Sequence, residues 1–219
     1  LEYQPMPITI KSKKDIENMR IAGQKAAAVL KMLDQYVVPG ITTEELDKIA
    51  FDYITRDLKC IPANIGYNGY PKTLCTSLNS VICHGIPSES QTLKDGDILN
   101  IDVTVIENKW HGDTSKMYAV GKIQNFAKRL INVTQECMYQ GIKKVRPGEK
   151  LGTIGSAIQK HAENNHYSVV RDYCGHGIGK VYHEEPQVLH YGNPGEGLML
   201  EEGMCFTIEP MINLSLIHI

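Results

Sequence analysis

The sequence has no CxxC pair. Cys60, Cys75, Cys83, Cys137, Cys174 and Cys205 are scattered along its 219 residues. That excludes a zinc ribbon and a thioredoxin-like redox motif, and it fits thiols kept reduced in a cytosol. There is no dense run of Lys and Arg, and the net charge is −2, which argues against a nucleic-acid or anionic-membrane footprint. No apolar run approaches the roughly 20 residues needed to span a bilayer, and the beginning lacks the charged-then-apolar layout of a signal peptide. What is present, 42% hydrophobic and 22% charged residues, suffices for one large domain or two small ones with a real core. The expectation is a soluble cytoplasmic protein with neither a membrane nor a nucleic-acid partner. Residues 1–5, ahead of Met6-Pro7, and the closing stretch 213–219 carry no turn, cap or pattern, and are read as foreign to the natural chain.

Between those ends the pattern repeats. Ser12, with Asp15 at the third position, predicts a helix running to about Gln35, with Ile16, Met19, Ile21, Ala26, Val29, Leu30 and Leu33 as its apolar stripe. Thr42-x-x-Glu45 reads as the capping box of a second helix that ends before Cys60. Residues 125–145 and about 151–164 repeat this helical pair, and Val145-Arg146-Pro147-Gly148 echoes Val37-Val38-Pro39-Gly40. At a nearly constant offset, residues 93–102 align without a gap on 200–209, so that Asp102 corresponds to Glu209, and His84-Gly85-Ile86-Pro87 is answered by His183-Glu184-Glu185-Pro186. Three landmarks in the same order predict a single domain over 1–219 made of two pseudo-symmetric halves, about 12–121 and 125–211. Each half reads helix, helix, antiparallel strands, which predicts an α+β fold with helices covering one face of a curved antiparallel sheet.

The strands carry acids. Residues 98–106 alternate with period two: Leu99, Ile101, Val103 and Val105 fall on one face, and Asn100, Asp102 and Thr104 on the other. A tight reversal at Glu107-Asn108 sets Asp102 directly opposite Asp113, their Cβ atoms about 4.5–5.5 Å apart. Like charges that close require a shared proton, screening water or a cation. The pseudo-repeat adds Glu209 to the same polar face. His176, between Gly175 and Gly177 in a backbone able to bend closely around a ligand, adds a neutral nitrogen donor. Carboxylates with one imidazole and no thiolate favour manganese, iron(II), cobalt or a catalytic zinc over a closed structural site. Two such ions lower the pKa of a shared water and clamp a substrate oxygen.

The stretches "GYNGYPKTLCTSLNSVICHGIP", "DILNIDVTVIENKWHGDTSKMYAVG", "CGHGIGKVYHEEPQVLHYG" and "FTIEP" together resemble the type I, bacterial-kind methionine aminopeptidases. The likeness runs from about Met6 to Met211, and no long insertion or basic extension of the type II enzymes is apparent. The resemblance implies a pita-bread fold and a metal-dependent hydrolase that removes the N-terminal methionine of nascent chains whose second residue is small. It implies two divalent ions per subunit (Co, Mn, Fe or Zn), a metal-activated water that attacks the peptide carbonyl, and a monomer that meets nascent polypeptides, at the ribosome among other places.

Carried over residue by residue, the resemblance has Asp102 and Asp113 hold one metal, with Asp113 bridging to a second held by His176 and Glu209. Glu209 also acts as the general base. His84 contacts the scissile amide and helps protonate the leaving amine, and His183 steadies the oxyanion. Tyr67, Tyr70, Cys75 and Tyr182 match the pocket for the methionine side chain, with Tyr182 standing where the family is expected to have Phe. The family also places a second bridging glutamate on a later strand, whereas no Glu or Asp follows Glu209 here. The expectation is a shortened form with impaired activity and at most one firmly bound metal; His218 is a nitrogen donor in principle, but its place in a patternless tail speaks against that role. Two other readings use the same residues: a proline-specific aminopeptidase or dipeptidase on this fold, and a binding module of the same fold that has lost catalysis.

Overall fold

The computed structural model describes residues 7–215. The chain divides into two compact units, one of Glu17–Lys128 and one of Leu1–Ile16 with Arg129–Ile219.

The 17–128 unit holds most of α1 (Lys13–Leu33), then α2 (Thr43–Asp52), β1 (Ile61–Pro62), β2 (Leu74–Leu78), β3 (Ile98–Glu107) and β4 (Trp110–Ala119). Thr42 caps α2 with the expected box: its hydroxyl accepts from the Glu45 N–H, and the Glu45 carboxylate accepts from the Thr42 N–H at 2.8 Å. A single π turn, Tyr53–Asp57, follows directly. All pairings in the sheet are antiparallel, with β3 flanked by β2 and β4 and β1 joined to its far end.

Alternation along β3 does what the sequence predicts: Leu99, Ile101, Val103 and Val105 are fully buried in a core with Ala26, Val29, Leu30 and Leu33 of α1 and Leu46 and Ala50 of α2. Ile21 departs from the expected stripe and is 37% exposed. The buried position beside it is Ala22, because α1 comes so near β4 that a Cβ on Gly112 would stand 2.1 Å from the Ala22 carbonyl oxygen. Only a small residue on each element allows that approach.

Asp47 closes the same unit from the α2 side. It is buried, and its carboxylate accepts the N–H groups of Thr73 at 2.9 Å and Leu74 at 2.7 Å, where β2 begins. Burial is the larger influence on its carboxyl and pushes the pKa up, against the pull of those two hydrogen bonds.

The other unit holds most of α3 (Asn125–Ile142), then α4 (Leu151–Asn164), β5 (Ser168–Val169), β6 (Gly175–Gly177), β7 (Glu184–Val188) and β8 (Ile212–Asn213). Its core gathers Val133 and Cys137 of α3, Ile154, Ile158 and Ala162 of α4, and Val169, Val188, Leu200 and Ile212. Here β5 pairs with β8, and β6 with β7. The "FTIEP" segment, expected as a strand matching β3, runs beside β6 with a single bridge from Phe206 to Gly177. The glycines on α4 are close-approach residues: a Cβ on Gly155 would lie 2.4 Å from the Tyr191 carbonyl oxygen.

Segment 9–11 is fastened into this unit. Lys11 donates its backbone N–H to the Gly203 carbonyl at 2.8 Å. Its ammonium lies 2.5 Å from Glu184 Oε2, with side-chain exposures of only 4% and 10%, and the Thr9 hydroxyl donates to the same carboxylate. Burial alone pushes the Glu184 carboxyl up, but the bonds from Lys11 and Thr9 hold it below the usual glutamate value of 4.5.

Two measurements test these anchors. Lys11→Met leaves a buried carboxylate without its cation and is expected to cost about 3–5 kcal/mol at pH 7 in urea unfolding. Because the folded Glu184 pKa is depressed, its contribution is full above the unfolded value and fades as pH falls through the folded one, so the deficit narrows below about pH 4.5. Asp47→Ala strands two buried N–H groups and is expected to cost about 2–4 kcal/mol; Asp47→Asn, which keeps an acceptor, costs less.

Candidate metal centre

In the 17–128 unit the two aspartates share a strand face but are not directly opposed. The chain reverses at Asn108-Lys109, both with positive φ, 48° and 72°, rather than at Glu107-Asn108. Asp102 therefore faces Ser115 on β4, and Asp113 faces Thr104. Moving the reversal by one residue shifts the pairing by two and preserves the face, because side chains alternate with period two. The carboxylates are diagonal neighbours, with Cα atoms about 7–8 Å apart. The wider spacing relaxes their repulsion and leaves room for an ion between them.

On its other side Asp102 faces Cys75 of β2. The Cys75 thiol is pushed up to about 12, mainly by burial, with the charges of Asp102 and Asp113 adding to it. Tyr70 lies against Cys75, and its phenol is also held well above the ordinary value, first by burial. The Tyr70 hydroxyl reaches two carbonyl oxygens, Leu74 at 3.0 Å and Gly85 at 2.9 Å. It thus ties the start of β2 to the loop that carries His84. That loop is tight: His84 has φ 55°, and a Cβ on Gly85 would stand 2.1 Å from the Thr76 carbonyl oxygen. The Gly85 carbonyl accepts the Thr76 N–H at 2.7 Å. Tyr67 opens a single 3-10 turn, Tyr67–Gly69, and is exposed. Of the sequence-predicted residues, this unit gathers Tyr70, Cys75, Asp102 and Asp113 on and beside β2–β4, with His84 on the attached loop.

The other unit gathers His176, Tyr182, His183 and Glu209. His176 is buried in β6, and its Nδ1 lies 2.9 Å from the Gly177 carbonyl oxygen. A carbonyl only accepts, so Nδ1 carries a proton, which leaves Nε2 as the ring nitrogen for a metal. Nε2 lies 3.6 Å from Glu209 Oε1. Two donors about 2.1 Å from one ion stand roughly 3.0–3.4 Å apart in octahedral or tetrahedral geometry, so a small adjustment accommodates a shared cation. The His183 ring lies 4.1 Å from that of His176 and stacks on Tyr182 at 4.4 Å.

The glycines beside His176 have a different cause from the one expected. Neither has a positive φ. A Cβ on Gly175 would meet the Thr207 carbonyl oxygen at 2.4 Å, and one on Gly177 the Glu185 carbonyl oxygen at 2.2 Å. They admit neighbouring backbone rather than supplying a bend.

Two supporting residues escape sequence reasoning. Thr207 accepts the His176 N–H at 2.9 Å and donates to Glu209 Oε1 at 2.5 Å. His190, fully buried, accepts the Glu209 N–H at its Nε2, 3.1 Å away, and burial pushes its pKa down to about 4. Thr207 was visible only as the residue two before Glu209, on the same face; His190 lies inside the quoted stretch ending in "LHYG", but the resemblance assigns it no role.

Within each unit, among the described residues, no three His, Cys, Asp or Glu side chains gather closely enough to hold an ion by themselves. Each unit offers a pair of donors: two carboxylates in one, and an imidazole with a carboxylate in the other. Oxygen-rich donors with one nitrogen and no thiolate fit manganese, iron(II), cobalt or a catalytic zinc. His218 lies outside the described residues, as do residues 1–5.

The family model of metallopeptidase family M24 matches residues 17–217. The chain is 59% identical to the methionine aminopeptidase of Salmonella typhimurium over 208 residues, 95% of this chain and 79% of that protein. It is 55% identical to that of Escherichia coli K12 over the same shares. Among solved structures, the methionine aminopeptidase of Rickettsia prowazekii superposes with a TM-score of 0.93 at 53% identity, over 95% of this chain and 83% of that one. With antiparallel sheets and four α-helices among the described residues, the fold is the α+β pita-bread fold of these neighbours. The chain belongs to metallopeptidase family M24.

Proposed function

We propose that the chain is a metal-dependent methionine aminopeptidase, which removes the N-terminal methionine from nascent proteins whose second residue is small. The carrying observation is the 59% identity to a methionine aminopeptidase across 95% of the chain. The donor pairs support it: Asp102 and Asp113 on one strand face, and His176 Nε2 with a Glu209 carboxylate oxygen 3.6 Å away. Asp102 and Asp113 in one unit, and His176 and Glu209 in the other, are the residues that would hold divalent metal ions. When bound, the ions polarise the scissile carbonyl and lower the pKa of the attacking water.

The remaining steps belong to side chains. Glu209 takes a proton from the attacking water. His183, held against Tyr182 and anchored by the neighbouring Lys11–Glu184 pair, donates to the oxyanion. His84 contacts the scissile amide and hands a proton to the leaving amine. Tyr67, Tyr70 and Cys75 supply the slot for the methionine thioether, and the resemblance gives Tyr182 the same role. The Tyr70 hydroxyl is engaged by backbone carbonyls and the Cys75 thiol stays neutral at working pH, so the slot offers ring faces and a soft sulfur rather than charge. The enzyme acts as a cytoplasmic monomer on polypeptides leaving the ribosome. No helix among the described residues is long and apolar enough to cross a membrane.

Hydrolysis of Met-Ala-Ser in the presence of Mn²⁺ or Co²⁺ tests the reading. Release of free methionine is expected, abolished by a chelator and restored by added metal, with an Xaa-Pro peptide left intact. Preference for Xaa-Pro assigns the chain to the proline-specific branch instead. His183→Ala is expected to lower kcat by about 10²–10³-fold, with a smaller change in KM, if its bond forms with the oxyanion and not the substrate carbonyl.

A further inference from the structure

We propose that Thr207 is a positioning residue that couples His176 to Glu209 through one hydroxyl. The inference rests on the reading of those two residues as metal ligands and assigns the side chain that sets their mutual geometry.

A threonine hydroxyl has a single proton and two lone pairs. Oγ1 of Thr207 accepts the His176 N–H at 2.9 Å, which occupies one lone pair. Its proton has two acceptors in reach, Glu209 Oε1 at 2.5 Å and the His176 carbonyl at 3.5 Å. The first is charge-assisted and has the length typical of a hydroxyl bound to a carboxylate. Backbone dipole, hydroxyl and carboxylate thus line up in one direction, from His176 through Thr207 to Glu209.

The hydroxyl is itself held in place. The Thr207 N–H donates to the His176 carbonyl at 2.8 Å, and the Thr207 carbonyl presses on Gly175 where a Cβ would stand 2.4 Å away. Two residues on, the Glu209 N–H is gripped by the buried His190. Main chain is therefore fixed at both ends of a three-residue span, with Ile208 partly buried against the core between them. The Thr207 proton bonds the same Glu209 oxygen that stands 3.6 Å from His176 Nε2, and so restrains rotation of that side chain. Such outer partners typically change metal affinity or activity by about 10–100-fold when removed.

The test uses the full chain, three single variants and one double variant. Thr207→Val keeps the branched shape without the hydroxyl, Thr207→Ser keeps the hydroxyl, and Glu209→Ala removes the ligand. Mn²⁺ affinity is read by titration calorimetry, and thermal unfolding of the metal-free proteins reports folding independently. The expected result is Mn²⁺ binding weakened about 10–100-fold in Thr207→Val and close to the parent in Thr207→Ser. In the Glu209→Ala background the valine substitution should have little further effect, since the coupling partner is gone. Parent-like affinity in Thr207→Val, or equal losses in the serine and valine variants, overturns the role of Thr207 while leaving the ligands standing. Unchanged affinity in Glu209→Ala overturns the ligand reading and this inference with it. If Thr207→Val does not fold, parent-like binding by Thr207→Ser supports the proposal, and weakening comparable to Glu209→Ala overturns it.

Discussion

Strict alternation along β3 governs what the 17–128 unit can present. Burying Leu99, Ile101, Val103 and Val105 against α1 and α2 removes four large aliphatic side chains from water, a gain of roughly 1.5–3 kcal/mol each. No slip by a single residue survives that, because it would turn all four outward and carry Asp102 inward. The contact of Ala22 with Gly112 holds α1 against β4 one residue before Asp113. Hydrophobic burial and a close backbone approach therefore decide where two carboxylates point, although neither force acts on the carboxylates themselves.

The second donor pair is organised by different means. Ladder pairing near it is short: β6 has three residues, and the Glu209 segment touches it through one bridge. Order comes instead from hydrogen bonds to single side chains, Thr207 and His190, and from glycines that let main chain lie against main chain. Buried polar networks of this kind specify geometry only when each member is satisfied, which makes the loss of one hydroxyl more consequential than its size suggests.

Helix boundaries were legible because caps are local chemistry. Thr42 and Glu45 announce α2 three residues apart, and the predicted 151–164 helix matches α4. The polar face of β3 was legible from period two. The hairpin register was not, because it depends on a reversal at Asn108-Lys109, and a lysine at φ 72° gives no turn signal in sequence. Nor did the helix stripe reveal that Ala22 rather than Ile21 meets the sheet, since size matching with Gly112 overrides hydrophobicity there. His190 was illegible for a related reason: its partner is a backbone N–H, and backbone groups leave no pattern among residue types. The candidate ligands could be named from the repeat of acidic positions and from family resemblance, while the residues that steady them required coordinates.

The protonated state of Cys75 also bears on inhibition. Burial pushes this thiol well above its ordinary range, which keeps it protonated and weakly nucleophilic. Alkylating reagents that reach Cys75 would find a weak nucleophile there, so ligands for this side of β2 are better sought through reversible apolar contact with the Tyr70 ring than through covalent capture of sulfur.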